Sequence, residues 1–171
     1  MTAPLYIITG AMASGKSTIG KALVQHFEKS AHVGGDAFLR MIIKGGAVMG
    51  PILDSEALMQ LHLRQDIAMD AVRRFVSAGF ATVYQDILIG KDFIRVTREL
   101  ADLAPRVVVL NPSVEVLAQR DATRHKTGYG KHFPPAVLAN ALQAETPREG
   151  LWLDSSEMSV EDVVEEILKR W

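Results

Sequence analysis

The stretch Leu5-Tyr6-Ile7-Ile8-Thr9-Gly10-Ala11-Met12-Ala13-Ser14-Gly15-Lys16-Ser17 decides how this chain folds. Its first five residues are apolar or β-branched and are stopped by a glycine, the pattern of a strand buried on both faces of a parallel sheet. Beyond Ser17, the residues Ile19, Leu23, Val24 and Phe27 recur at helical spacing, which predicts a helix from Lys16 to about Glu28. The segment between is a strand-to-helix turn, and it matches G-x-x-x-x-G-K-[ST] at every fixed position. Gly10 and Gly15 permit the tight path on which backbone N–H groups converge on an anion, and the helix behind adds its positive dipole end. Lys16 is placed to reach the β- and γ-phosphates of a nucleoside triphosphate, and the Ser17 hydroxyl to coordinate the Mg2+ that bridges them. The expected nucleotide-binding residues are Gly10, Ala11, Met12, Ala13, Ser14, Gly15, Lys16, Ser17 and Thr18. A dinucleotide-binding fingerprint is excluded, because G-x-G-x-x-G is absent.

Outward from this stretch, strands and helices alternate. A second strand ends near Val33, and an apolar helical segment spans Ala37 to Ile43. Asp54 or Ser55 caps a long helix to about Ala78, with Leu58, Leu61, Ile67, Val72 and Val76 inward and Gly79 as the stop. Strand three is read at Phe80 to Gln85, a helix at Lys91 to Leu103, and strand four at Arg106 to Leu110, which Asn111-Pro112 ends. Ser113 caps the next helix, Pro134-Pro135 start another, and Leu151 to Leu153 form a short last strand. Ser159 to Trp171 close the chain as an amphipathic helix with Val160, Val163, Val164, Ile167 and Leu168 inward. This order predicts a three-layer α/β/α nucleotide-binding fold around a parallel sheet of about five strands, in one domain over residues 1–171.

Composition bounds the partners. The chain has 171 residues, 48% hydrophobic and 23% charged, which is ordinary globular composition. A formal net charge of −1 with scattered cations supplies no field for a nucleic-acid backbone or an anionic membrane, so phosphate must be held locally. Leu5 to Thr9 is too short for a signal or a membrane span, and the cytoplasm is the expected compartment. With no cysteine, disulfides, thiolate metal sites and cysteine nucleophiles are excluded. The histidines show no paired metal-ligand spacing.

A phosphate loop is shared by kinases, switches and motors, so function rests on the remaining candidates. No N-K-x-D segment for guanine occurs, and the chain is short for the extra domains of a motor. Asp36 follows strand two on the sheet edge that collects ligands, where it either takes the proton of a substrate hydroxyl or caps the helix at Ala37. Asp86 follows strand three, the setting of a carboxylate that holds Mg2+ or orients the acceptor; the alternative is a strand-end cap. Arg120 and Arg124 share a helix face in a cation-rich stretch running to Lys131, beside Gly128 and Gly130, where guanidiniums can offset charge on a transferring phosphate. Arg64, Asp66, Arg73 and Arg74 lie on the long helix; one or more can face an acceptor, though solvated positions are the simpler reading.

In this order, Gly10 to Ser17, Gly35-Asp36, Asp86 and Arg120/Arg124 resemble the small P-loop kinases, nearest to their chloramphenicol phosphotransferase-like and gluconate-kinase-like members. The resemblance implies ATP with Mg2+ and a small-molecule acceptor. It also implies Lys16, Asp36, Arg120 and Arg124 in catalysis, Ser17 and Asp86 at the metal, and a lid over residues 120–135. Asp36-Ala37-Phe38 is not followed by His-Pro, and no Asp-x-Asp follows strand two, which counts against gluconate and shikimate as acceptors. A nucleoside or nucleotide kinase and a nucleotide-dependent regulatory protein are the other readings. A monomer or homodimer is expected, with no nucleic-acid or membrane partner.

Overall fold

The computed structural model describes residues 3–123 and 128–171. Strand β1 (Leu5–Gly10) runs into the glycine-bearing loop and on into α1 (Lys16–Val24). There follow β2 (Ser30–Gly34), α2 (Gly35–Leu39), α3 (Ser55–Ser77), β3 (Ala81–Gln85) and α4 (Lys91–Glu99). The chain continues through β4 (Arg106–Leu110), α5 (Val114–Ala122), α6 (Pro135–Glu145), β5 (Leu151–Leu153) and α7 (Val160–Arg170). The five strands are parallel in the order β2-β3-β1-β4-β5, with β1 bonded to β3 and β4.

Every residue of β1 is buried, because its alternate side chains enter two different cores. Leu5 and Ile7 join Tyr84 and Val109 against Ala68, Met69 and Val72 of α3 and Phe93 and Val96 of α4. Tyr6 and Ile8 join Val83 and Val108 against Ile19 and Leu23 of α1 and Val163, Val164 and Ile167 of α7. Helix, sheet and helix therefore form the three layers expected from the alternation. Register aligns Ile8 and Gly34 with Gln85, so β1, β2 and β3 deliver the loop, Asp36 and Asp86 to one edge.

Helices α1, α2 and α4 (which ends at Glu99 rather than Leu103) and the inward face of α3 differ from the sequence expectation. Helix α1 stops at Val24 rather than near Glu28, because the next amides bond three residues back, His26 to Leu23 and Phe27 to Val24, and the Ser30 hydroxyl takes the Val24 carbonyl. Helix α2 begins at Gly35 and ends at Leu39, leaving Met41 and Ile43 exposed. In α3, Leu58 and Ile67 are exposed, whereas Gln60 and Gln65 are buried. Gln60 turns inward because its amide donates to the Gly45 carbonyl and accepts from the Ala47 amide, both at 2.8 Å, securing the preceding loop. Asp54 caps α3 by accepting from the Ala57 amide. Among the described residues no helix is long and apolar enough to cross a membrane.

Candidate functional site

The loop after β1 owes its path to Gly10, whose φ is 152°. A Cβ there would stand 2.4 Å from the Leu110 carbonyl oxygen and 2.6 Å from the Ser14 hydroxyl. Gly15, in the left-handed conformation, N-caps α1, and no side chain bonds to the helix end. The first-turn amides of α1 have no partner within the helix, so they are presented to an anion together with the helix dipole. Lys16 is buried, and its ammonium donates to the carbonyls of Gly10 at 3.1 Å and Ala11 at 2.9 Å, which folds the side chain along the loop.

A cleft of about 430 Å³ opens over this loop. Met12, Ala13, Ser14, Gly15, Lys16, Ser17 and Thr18 line it, together with Asp36, Asp86 and Arg120. Gly10 and Ala11 form the base of the loop beneath. Arg124 lies outside the described residues. The α2 N-cap is Gly34, and Asp36 lies within the first turn with no capping bond, an exposed carboxylate on the cleft.

Asp86 is 5% exposed. Its Oδ1 accepts from the Ile87 amide at 2.8 Å, while its Oδ2 is buried without a hydrogen-bond partner. Burial raises its pKa above the usual aspartate value, and Asp36 pushes the same way; Arg64, the Ile87 amide and Lys16 pull it back. The carboxylate fits only because residue 35 is glycine, since a Cβ there would lie 2.1 Å from Oδ2. An orphaned buried carboxylate oxygen on the same cleft as the Ser17 hydroxyl is a suitable donor pair for Mg2+. Among the described residues no group of three or more His, Asp or Glu could hold a metal, so phosphate oxygens and water would complete the shell, as Mg2+ prefers.

Arg120 reaches the cleft from α5. Its guanidinium donates to the Ser14 carbonyl at 3.3 Å and the Ser155 carbonyl at 2.9 Å, tying the phosphate loop to the turn after β5. That turn supplies further wall residues, Ser155, Met158 and Ser159, which the sequence reading did not single out. The signal was available, because β5 ends on the same sheet edge. In the last turn of α5, the buried Asp121 accepts from the amides of Gly128 at 3.0 Å and Tyr129 at 3.1 Å. The Tyr129 hydroxyl donates to the Met12 carbonyl at 2.7 Å, so this segment rests on the loop.

The family model described as chloramphenicol phosphotransferase-like protein matches residues 3–171. No curated protein sequence matches. Among solved structures, the shikimate kinase of Acinetobacter baumannii, in complex with shikimate, aligns at a TM-score of 0.70 and 21% identity over 99% of this chain and 93% of that one. The APS kinase of Mycobacterium tuberculosis, in complex with AMPPNP and APS, aligns at 0.70 and 15% over 98% and 96%. A gluconokinase of Sinorhizobium meliloti aligns at 0.62 and 21% over 98% and 90%. At these identities the structural likeness shows the fold, that of the P-loop kinases. The match over nearly the whole length shows more: the chain belongs to the chloramphenicol phosphotransferase-like family of kinase phosphotransferases.

Proposed function

We propose that this chain transfers the γ-phosphoryl group of ATP to a hydroxyl of a small molecule. The observation that carries the reading is the convergence of Asp36 and Asp86 on the cleft of the phosphate loop. A simple nucleotide switch needs no exposed carboxylate facing the γ-phosphate end. A kinase needs one to receive the acceptor proton.

In this reading the α1 amides and Lys16 hold the β- and γ-phosphates, and Lys16 leaves the Gly10 and Ala11 carbonyls to do so. Ser17 and Asp86 would hold Mg2+, which would supply charge neutralisation at the phosphates. Asp36 accepts the proton as the acceptor oxygen bonds to the γ-phosphorus. The bond from that phosphorus to the β–γ bridging oxygen breaks, and its electron pair leaves on ADP. Arg120 holds the loop and the turn after β5 in register, and the segment through Tyr129 serves as the lid that limits water. Arg124 belongs to the same proposed lid.

A phosphoryl-transfer screen with labelled ATP over alcohols, sugars, nucleosides and aminoglycosides tests the reading. Label on one acceptor class, lost in Lys16→Ala, is the expected result. Hydrolysis without any labelled acceptor, together with nucleotide-dependent capture of a protein partner, would overturn it in favour of a regulatory NTPase.

A further inference from the structure

Helix α3 buries one side, where Leu61, Ala68, Met69, Val72 and Val76 lie. The opposite side of such a helix is ordinarily polar throughout. Here it carries Met59, Leu63 and Ile67, which stand four residues apart and so share one face. The loop before α3 adds Met41, Ile43, Val48 and Ile52. Gln60 binds the Gly45 carbonyl and the Ala47 amide, so Ile43 and Val48 are held beside the helix. Among the described residues eleven large apolar side chains are exposed, and nine fall between Met41 and Phe75, so the exposed apolar surface is concentrated in α3 and its approach.

The seven side chains from Met41 to Ile67 are 44% to 90% exposed. Each leaves on the order of 100 Å² of surface to water, so together they approach the roughly 800 Å² that one partner gives to a standard interface. A soluble monomer rarely exposes an apolar patch of this size. None of these residues lines the cleft over the phosphate loop, so the face is separate from the nucleotide site. Its pattern matches a second copy of itself. About a two-fold axis level with Gln65, an antiparallel copy of α3 sets Leu63 against the partner's Ile67, and Ile67 against the partner's Leu63. Met59 then meets the partner's Ala71, large against small. At equal distances beyond them the exposed Glu56 meets the partner's Arg74, and Arg74 makes no ion pair among the described residues. Apolar pairs at the centre and opposite charges at the rim are the anatomy of a specific interface.

We propose that the solvent face of α3, with the loop before it, is the two-fold interface of a homodimer. Leu63 and Ile67 form its centre, Met59 and Ala71 flank them, and Glu56 and Arg74 fix the antiparallel register from each end. Every contact is made twice, so a single substitution removes two. The interface also covers the apolar loop that leads from α2 to α3. The inference does not depend on which molecule accepts the phosphoryl group.

Sedimentation equilibrium of the full chain from about 1 to 100 μM tests this, because a dimer dissociates by mass action on dilution. The expected result is a dimer whose dissociation constant rises about 100-fold or more in Leu63→Glu. Glu56→Arg should raise it about 10-fold, and the double variant Glu56→Arg with Arg74→Glu should restore it. The charge reversal and its rescue read the same interface if Leu63→Glu fails to fold. The chain has no cysteine of its own, so Leu63→Cys and Ile67→Cys chains can be mixed and oxidised. A disulfide-linked pair should form from the mixture in preference to either variant alone. A monomer at every concentration overturns the proposal, as does a dimer indifferent to Leu63→Glu or to the charge reversal. Cross-linking of either cysteine variant with itself as readily as with the other overturns the antiparallel register on which the proposal rests. A monomer in which Leu63→Glu instead abolishes phosphorylation of an apolar alcohol gives this face to the acceptor, and overturns the dimer.

Discussion

The phosphate-loop end and the proposed acceptor end of the cleft are built by different means. At the phosphate end, contiguous residues from Gly10 to Thr18 set backbone amides and one lysine around an anion, with Gly10 fixed by a φ of 152° and by the nearby Leu110 carbonyl. At the proposed acceptor end, Asp36 and Asp86 come from α2 and from the residue that follows β3. They meet only through strand register and helix packing. A site made of backbone tolerates change in most of its side chains. A site made of scattered side chains can change its substrate without changing its fold.

Substitution at each end should expose this division. The largest effect is expected for Lys16→Ala, which removes the cation at the phosphate end. Transfer should fall by roughly 10³-fold, with weaker ATP binding, measured by labelled-phosphate release and by titration with a fluorescent ATP analogue. An unchanged nucleotide affinity would place the phosphates elsewhere. Next comes Asp36→Asn, which acts on the acceptor end alone. Turnover with a true acceptor should fall by about 10²-fold while nucleotide affinity stays at the wild-type value. Turnover near wild type would remove Asp36 as the base.

Gly35→Ala sits on the seam between the two ends. The added Cβ meets the Asp86 carboxylate, with Oδ2 at 2.1 Å, so this buried side chain must shift. Urea denaturation should show a loss of about 1–3 kcal/mol. The Mg2+ concentration for half-maximal transfer should also rise as Asp86 is displaced. A loss of stability with an unchanged Mg2+ requirement would separate Asp86 from the metal.

The same contrast explains what could be read from sequence. The β1–loop–α1 unit is legible because its signals are local: a doubly buried strand, fixed glycines and a helical period within one short stretch. The parallel sheet followed from the alternation of elements. The inward face of α3 was not legible, since apolar periodicity selects Leu58 and Ile67, whereas Gln60 is buried by its bonds to Gly45 and Ala47. No local signal marks that exchange. Arg64 was named with Asp66, Arg73 and Arg74 as able to face an acceptor, with solvation the simpler reading, because an arginine on an amphipathic helix carries no local sign of how far it is buried. For Asp36, the boundary decided the cap question: α2 starts at Gly35, so the carboxylate sits past the capping position.

The smallest effect is expected on the far wall of the cleft, where Ser159, Val160 and Val163 of the α7 end face the loop. Ser159 and Asp162 form a reciprocal capping box there, with the Ser159 hydroxyl at 2.8 Å and its amide at 3.1 Å from the Asp162 carboxylate. These hydrogen bonds, the side-chain one foremost, hold the Asp162 pKa below its ordinary value. A depressed pKa in the folded state gives stability that is present above the unfolded value and lost as pH falls through the folded one. Asp162→Asn should therefore lower the midpoint of thermal unfolding slightly at neutral pH, and the difference from wild type should vanish in acid. Transfer kinetics should stay unchanged, because the box sets the start of α7 and touches neither phosphate nor acceptor. A variant that kept its stability but lost transfer would instead make this wall a third working part of the cleft, and the two-ended division would fail.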